Sequence, residues 1–470
     1  MTIPYGFTVA LDRHTRVVDG GRALLGGFPT RLLRLTPRAS GLLTGREVQV
    51  SDRAGALLAE RLLDVGLGHP VVATLPELPA ARHTFVVPVR DRAAQLDRLL
   101  TSIGPGRTVI VVDDASEHPE PVADVAAKHG ARLCVLPVNA GPAGARNAGL
   151  RLVTTPYVVL VDSDVVLPPG TVPTLLRHFA DPKVAMAVPR ITGLATAAST
   201  GWLGRYENAR SSLDLGAHPA AVRPGSPVSW APTACAVART EALRDGFDAR
   251  MRVGEDVDLC WRLIENGWRV RYEPSVEAAH EHRVRVGDWF RRKAVYGTGA
   301  HPLAERHPEF IAPAVLTPWS AALAVALLAQ RRWSLPVAGA VCAVTAVRIA
   351  DKLSGTREPH RLALRLTAHG GVAALAQTSA LLTRHWWPLT VVGCLASRRV
   401  RRAAAVAALT DIALEYRRDR AGLDPVRYGV ARRLDDLAYG AGVWFSALRG
   451  RSTAALRPRF VRSEGRRTRG

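Results

Sequence analysis

From Thr84 to Asp164 the chain repeats one pattern: a short, continuously apolar run, then a stretch whose apolar positions recur every three or four residues. The runs "TFVVPV", "RTVIVVDDAS", "ARLCVLPV" and "PYVVLVDSD" predict strands. Between them "DRAAQLDRLLTSI", "EPVADVAAKHG" and "PAGARNAGLRLV" predict helices, the second stopped by a glycine and the third opened by a glycine turn. Strands this apolar, joined by crossovers of about a dozen residues, predict a parallel sheet covered on both faces. In such sheets ligands bind beyond the carboxyl ends of the strands.

The pattern differs on either side. Residues 1–80 read as a small α+β unit of short strands and turns, with a helix from Asp52 to about Asp64 that stops at Gly66. The segment Ala73–His83 holds two prolines and reads as a linker. Residues 84–300 form the α/β unit, and residues 301–470 an apolar, arginine-rich helical region. That last region holds four apolar runs, "PAVLTPWSAALAVALLAQ", "WSLPVAGAVCAVTAV", "GGVAALAQTSALLT" and "WWPLTVVGCLAS", each short of the ~20 residues that span a bilayer. Arg331 and Arg332, then Arg384 and His385, lie between successive runs, and full crossings would place both basic turns outside, against the positive-inside rule. Association with the cytoplasmic face of the cell membrane by short hairpins or interfacial helices fits better. Trp319, Trp333, Trp386 and Trp387 suit an interface, while Arg398, Arg399, Arg401, Arg402 and eight arginines from Arg449 to Arg469 suit anionic headgroups. The alternative is an ordinary helical subdomain packed on the α/β unit.

The formal charge of +22 changes this picture little, because nearly all of it is arginine and the only lysines are Lys128, Lys183, Lys293 and Lys352. A GC-rich genome produces that bias without selection for a partner. No zinc-finger spacing or aromatic RNA-binding signature accompanies the charge, so nucleic acid is not an expected partner. Five scattered cysteines fit reduced thiols, with neither a disulfide framework nor a zinc site. The first twenty residues carry charges where a secretion signal needs a long apolar run.

The candidate chemistry gathers at the predicted strand ends. The first offers Pro88 to Arg92, with Arg90 among them, the second Asp113, Asp114 and Ser116, and the fourth Asp162 and Asp164. The turn after the third leads to a helix start carrying Arg146 and Asn147. An acid at the second strand end can accept a hydrogen bond from a nucleobase or a ribose hydroxyl. The Asp162/Asp164 pair can hold Mg2+ or Mn2+ against a diphosphate, with the glycine-turn amides and Arg146 adding positive charge. Plain turn and cap roles remain open for Asp113, Asp114, Asn139 and Gly141. Farther on, Glu255, Asp256 and Asp258 open a helix whose positive end helps to keep them ionised, and an ionised carboxylate can act as general base to a hydroxyl. His280 and His282 follow a short strand, "WRVRYEP", and either can complete a metal shell.

In this order and spacing, "FVVPVRDR", "IVVDDAS", "NAGPAGARNAGL", "VLVDSDVV" and "GFDARMRVGEDVDLCWRL" resemble the motifs of family 2 glycosyltransferases over about residues 84–300. The resemblance implies a GT-A, Rossmann-like catalytic domain and an inverting enzyme with a nucleotide-sugar donor and a divalent metal, Mn2+ or Mg2+. It implies Asp114 with Asp113 at the base, Asp162 near the ribose, Asp164 on the metal and Asp256, beside Glu255, as catalytic base, and the residue chemistry adds Asp162 and His280 as further metal ligands. Acceptor-side candidates are Trp230 and, within "WFRRKAVYGTGAH", Arg292. That segment departs from the QxxRW signature of processive synthases. The whole-chain layout resembles glycosyltransferases that modify a peptide-derived redox cofactor. It implies UDP-glucose as donor, a peptide-derived small molecule as acceptor, a β-linked oligoglucoside as product and an N-terminal winged-helix-like unit that docks the peptide or merely caps the sheet. Alternatives are a family 2 transferase for envelope polysaccharide or glycolipid, and a non-catalytic nucleotide-sugar-binding protein.

Overall fold

The computed structural model describes residues 3–78, 82–419 and 422–461. Residues 79–81 of the linker and the last arginines, from Arg462 to Arg469, lie outside the described residues. The chain divides into two units, residues 1–200 with 210–282, and residues 201–209 with 283–470.

The first unit begins with β1 (Thr8–Leu11), β2 (Arg16–Val18), β3 (Ala23–Gly26), β4 (Arg31–Arg34), α1 (Pro37–Gly41), β5 (Glu47–Gln49), α2 (Arg53–Val65) and β6 (Gly68–Pro70). These make two three-stranded sheets, β5-β1-β6 and β2-β3-β4. The helix falls where the pattern places it: the Asp52 side chain accepts the Gly55 amide at 2.6 Å, and Gly66 ends the helix in the left-handed conformation. Its apolar face, Leu58, Ala59, Leu62 and Leu63, is buried against Phe7, Val9 and Val48. Its polar face reaches the sheet that follows: Glu60 pairs with Lys183, and Asp64 with Arg269.

That sheet is built by β7 (His83–Val89), α3 (Ala93–Ile103), β8 (Thr108–Asp113), α4 (Glu120–Lys128), β9 (Arg132–Val135), α5 (Gly141–Leu150), β10 (Tyr157–Val161), β11 (Val165–Val166), α6 (Thr171–Arg177) and β12 (Val184–Gly193). After α7 (Trp202–Arg210), most of which belongs to the second unit, β13 (Ala220–Ala221), β14 (Cys235–Arg239), α8 (Glu255–Glu265) and β15 (Arg269–His280) complete it. The strand order is β11-β15-β12-β14-β10-β7-β8-β9. The four strands read from the pattern, β9, β8, β7 and β10, are parallel neighbours. The other half is mixed, because β14 runs antiparallel between β10 and β12. The chain reaches β14 through the long excursion of residues 194–234 rather than a helical crossover, so nothing holds it to the parallel direction. The strand order reverses beside β7, and there the carboxyl ends of β7, β8 and β10 surround a crevice.

Helix α5 covers that reversal because Gly149 lets it approach: a Cβ there would stand 2.3 Å from Val86 Cγ1 and 3.1 Å from Val112 Cγ2. The core under the sheet is fully apolar, with Val87, Val111, Val159 and Val161 all inaccessible to solvent.

In the second unit, α9 (Val286–Thr298), α10 (Ala300–Arg306), β16 (Val315–Leu316), α11 (Pro318–Ala329), α12 (Ser334–Lys352), α13 (Pro359–Ala380), α14 (Trp387–Ala396), α15 (Arg398–Asp419), α16 (Pro425–Arg449) and β17 (Arg459–Phe460) follow one another. Around α7, α9 and α16, Leu203, Tyr206, Trp289 and Tyr428 form a core. Lys293 is buried there between Glu207 at 3.0 Å and Asp435 at 3.6 Å. Elsewhere the packing is open: α14 buries no residue and α15 only Ala407, while Leu335, Leu364, Leu389, Leu395 and Leu409 are exposed. Among the described residues α12 is the one helix long and apolar enough to cross a membrane. A Gly149→Ala variant should wedge α5 from β7 and lose about 1–3 kcal/mol of stability, measured by urea unfolding of the full chain.

Candidate functional site

At the carboxyl end of β8 the two adjacent acids have separate roles. Asp114 accepts the amides of Ala140 at 2.6 Å and Gly141 at 2.9 Å, so it binds the start of α5. Those two amides of the glycine turn are therefore committed to Asp114. The turn needs Gly141, whose φ is +75° and whose added Cβ would meet Arg252 Nη1 at 2.7 Å. Asp113 is buried and accepts the Ser116 amide and hydroxyl on one oxygen, at 3.0 and 2.6 Å. Its other oxygen is buried and has no hydrogen-bond partner among the described residues, an acceptor left unsatisfied by the fold. The β7 and β8 loops are tied together: Asp91 receives the Glu117 amide, its own amide donates to Ser116, and Arg90 donates to the Ala115 carbonyl. Pro88 lies half-buried in β7 opposite Val112.

Arg146 is a connector. It is 4 % exposed and gives one nitrogen to Asp162 at 2.5 Å and another to Glu255 at 3.0 Å. Burial opposes its charge, but Asp162 and Glu255 more than offset that and raise its pKa. Asp162 and Arg146 were expected at the ribose and the diphosphate. The structure instead joins them to each other, because the strand end of β10 and the helix α5 converge on α8.

Asp164 and His280 also come together. The antiparallel pairing of β11 with β15 sets Val165 opposite His280, and Asp164 Oδ1 lies 3.5 Å from His280 Nε2. Arg92 pairs with the other carboxylate oxygen. Burial opposes the Asp164 charge, yet His280 and Arg92 hold its pKa below the usual carboxylate value. Among the described residues no three His, Cys, Asp or Glu side chains gather as a metal cluster. The donor set is thus one carboxylate and one imidazole, with Asp162 turned to Arg146. Such a pair fits Mg2+ or Mn2+ that completes its shell with phosphate oxygens and water. His282 stands 5.9 Å from His280, ring to ring. Arg92 lies in the strand-end segment Pro88 to Arg92 read from the sequence, three residues past β7, but nothing in its spacing marked it as the partner of Asp164.

The first turn of α8 follows the left-handed Gly254 and has no side-chain cap. Its acids separate by partner. Asp258 is fully buried and pairs with Arg262 at 2.8 Å, a structural contact. Glu255 faces Arg146. Asp256 is half-buried and accepts only the amide of Val257, at 2.8 Å, and its carboxyl is pushed up to about 7 by burial first and by neighbouring Glu255 next. The helix end was expected to keep this acid ionised; burial beside a second carboxylate wins. The segment carrying Trp230 is fastened to α8, since Cys260 Sγ donates to Ala231 O and Trp261 Nε1 to Ser229 O. Asn147 fastens α5 to the approach to α8, exchanging two 2.8 Å hydrogen bonds with the Phe247 backbone. Arg292 belongs to the second unit, where its guanidinium lies over the Tyr296 ring.

A strand-end acid with a spare acceptor, a carboxylate–imidazole pair and a near-neutral acid, all at one topological reversal, match the layout expected of a sugar-transferring α/β enzyme. Residues 84–243 match the model of glycosyl transferase family 2, and the chain belongs to the glycosyltransferases of that family. It is 44 % identical, over 97 % of its length and 98 % of the relative's, to the pre-mycofactocin glycosyltransferase of Mycobacterium tuberculosis in two strains. It is 31 % identical to an uncharacterized glycosyltransferase of Mycobacterium bovis, over 40 % of this chain and 81 % of that one. Among solved structures it is similar to a mannosyltransferase from Pyrobaculum calidifontis in complex with GDP-Man and Mn2+. The TM-score is 0.38 at 22 % identity, over 65 % of this chain and 89 % of that one, a likeness too slight to bear on the site.

Removing the connector should be costly. Arg146→Met leaves Asp162 and Glu255 facing each other without a cation and should lose about 3–5 kcal/mol, read as a lower urea midpoint.

Proposed function

We propose that this glycosyltransferase moves glucose from UDP-glucose, with inversion, onto a peptide-derived acceptor of the pre-mycofactocin type and so builds a β-linked oligoglucoside. The observation that carries the reading is Asp256: a half-buried carboxyl near neutrality, at the edge where the strand ends converge, is suited to accept a hydroxyl proton. Near full-length similarity to the M. tuberculosis enzyme supports the acceptor class.

In this reading the free oxygen of Asp113 accepts a hydrogen bond from the uracil or ribose of the donor. Asp164 and His280 would hold Mg2+ or Mn2+, which supplies charge neutralisation at the diphosphate. Arg146 keeps Asp162 and Glu255 in place and maintains a cation next to Asp256. Ionised Asp256 takes the acceptor proton while the acceptor oxygen attacks the anomeric carbon and UDP departs from the opposite face. The N-terminal module, residues 1–80, serves to dock the peptide-derived acceptor. The second unit serves to hold the enzyme at the cytoplasmic face of the membrane, supported by its exposed leucines and valines and by the arginines of α15.

Asp256→Asn should retain donor binding by calorimetry and lose about 10²–10⁴-fold in transfer rate. The base acts only when ionised, and its pKa is raised. In the unaltered enzyme kcat/KM should therefore climb as pH rises through about 7 and fall about tenfold per pH unit below it. Full turnover by the Asn variant would remove Asp256 from the mechanism. Mass spectrometry of acceptor candidates incubated with Mg2+ or Mn2+ and a panel of UDP- and GDP-sugars should give hexose additions with UDP-glucose and the peptide-derived acceptor. Additions from another donor or onto polysaccharide precursors alone would reassign the substrate.

A further inference from the structure

We propose that the groove between α15 and α16 is a lipid site that seats an acyl chain of an anionic membrane phospholipid. The proposal rests on the reading of the second unit as a membrane-surface element and specifies where and what it binds. The cavity has a volume of about 680 Å³, within the range of small-molecule sites. Its walls are chiefly apolar, with Leu409, Ile412, Val426, Val430 and Leu434 among them. Tyr416, whose hydroxyl donates to the Leu423 carbonyl at 2.7 Å and whose ring packs edge-on against Tyr428, also lines it.

The charged residues of the lining are Arg417 and Arg433, both positive. Arg433 turns one nitrogen toward Asp411 and Asp436, and its Nε and Nη1 are buried without a hydrogen-bond partner. Arg417 is exposed. Arg433 is already paired with two carboxylates, so the exposed Arg417 is the lining cation open to a headgroup. An apolar trough with such a cation in its lining complements a long hydrocarbon carrying an anionic head, whereas a small anion would leave the trough unfilled. A second copy of the chain would bring its own net charge of +22 against the same arginines.

The groove also continues into surface of the same character. Val406, Leu409 and Leu414 on α15 and Val426 and Val430 on α16 are exposed, and α15 carries Arg398 and Arg399 at one end and Arg417 and Arg418 at the other. Apolar residues between arginines on one helix suit a bilayer surface, with hydrocarbon below and phosphates at the ends.

The test uses the full-length protein and vesicles of phosphatidylcholine with and without phosphatidylglycerol, the latter carrying a photo-reactive group in its acyl chain. Flotation should require phosphatidylglycerol, and crosslinks should map to residues 409–434. Arg417→Gln should weaken vesicle binding about fivefold, the effect of one basic residue at an anionic surface. Ala413→Trp, which fills the groove, should remove the crosslinks there while the protein keeps its circular dichroism and its sugar transfer in detergent. Flotation with crosslinks confined to α11–α14 would overturn the groove while sustaining the membrane reading. Absence of flotation on any vesicle would overturn both. Protein–protein crosslinks through residues 409–434 in a solution dimer would overturn the lipid as occupant.

Discussion

The site depends on one buried ionic bridge. Arg146 draws a carboxylate from the end of β10 and another from the first turn of α8 onto one guanidinium, so three elements distant in sequence share a fixed geometry. Arg146 and Glu255 are buried while Asp162 keeps partial contact with solvent, and removing the shared cation would leave the buried carboxylate uncompensated. What it leaves unpaired is functionally informative. Asp256, one residue past Glu255, has no ion pair among the described residues, and burial raises its pKa to about 7 although Arg146 nearby opposes the rise. One residue of register along a helix therefore separates a structural acid from a candidate base.

The same division runs around the crevice. At the end of β8 Asp114 caps α5 while one oxygen of Asp113 has no hydrogen-bond partner among the described residues, and at the end of β10 Asp162 serves Arg146 while Asp164 is shared between His280 and Arg92. Architecture and chemistry are thus interleaved at single-residue spacing. A change at either member of a pair disturbs the other through the loop they share.

The parallel half of the sheet was legible from pattern alone. Continuous apolar runs at crossover spacing have few other ways to be buried, and all four predicted strands lie side by side in parallel. The antiparallel insertion of β14 was not legible, because "CAVAR" carries no record of which neighbour it will pair with. The gathering of acids at the strand ends was legible too, as was the placing of Glu255, Asp256 and Asp258 in the first turn of a helix. Their partners were not: Arg146 read as a ligand for phosphate, and Arg92 carried no signal that it would meet Asp164.

By itself, then, the sequence determined which stretches are strand and helix, which chain edge holds the chemistry and, through five ordered motifs, the family. Those properties follow from local periodicity and from residue types at short spacing, both written in the order of the chain. The tertiary structure decided which acid stays free and which is neutralised, and that Asp256 lies near neutrality while Asp164 stays ionised. Desolvation and ion pairing depend on groups far apart in the chain, with Arg146 meeting Glu255 across 109 residues and Asp164 meeting Arg92 across 72, and only the folded sheet brings them within reach.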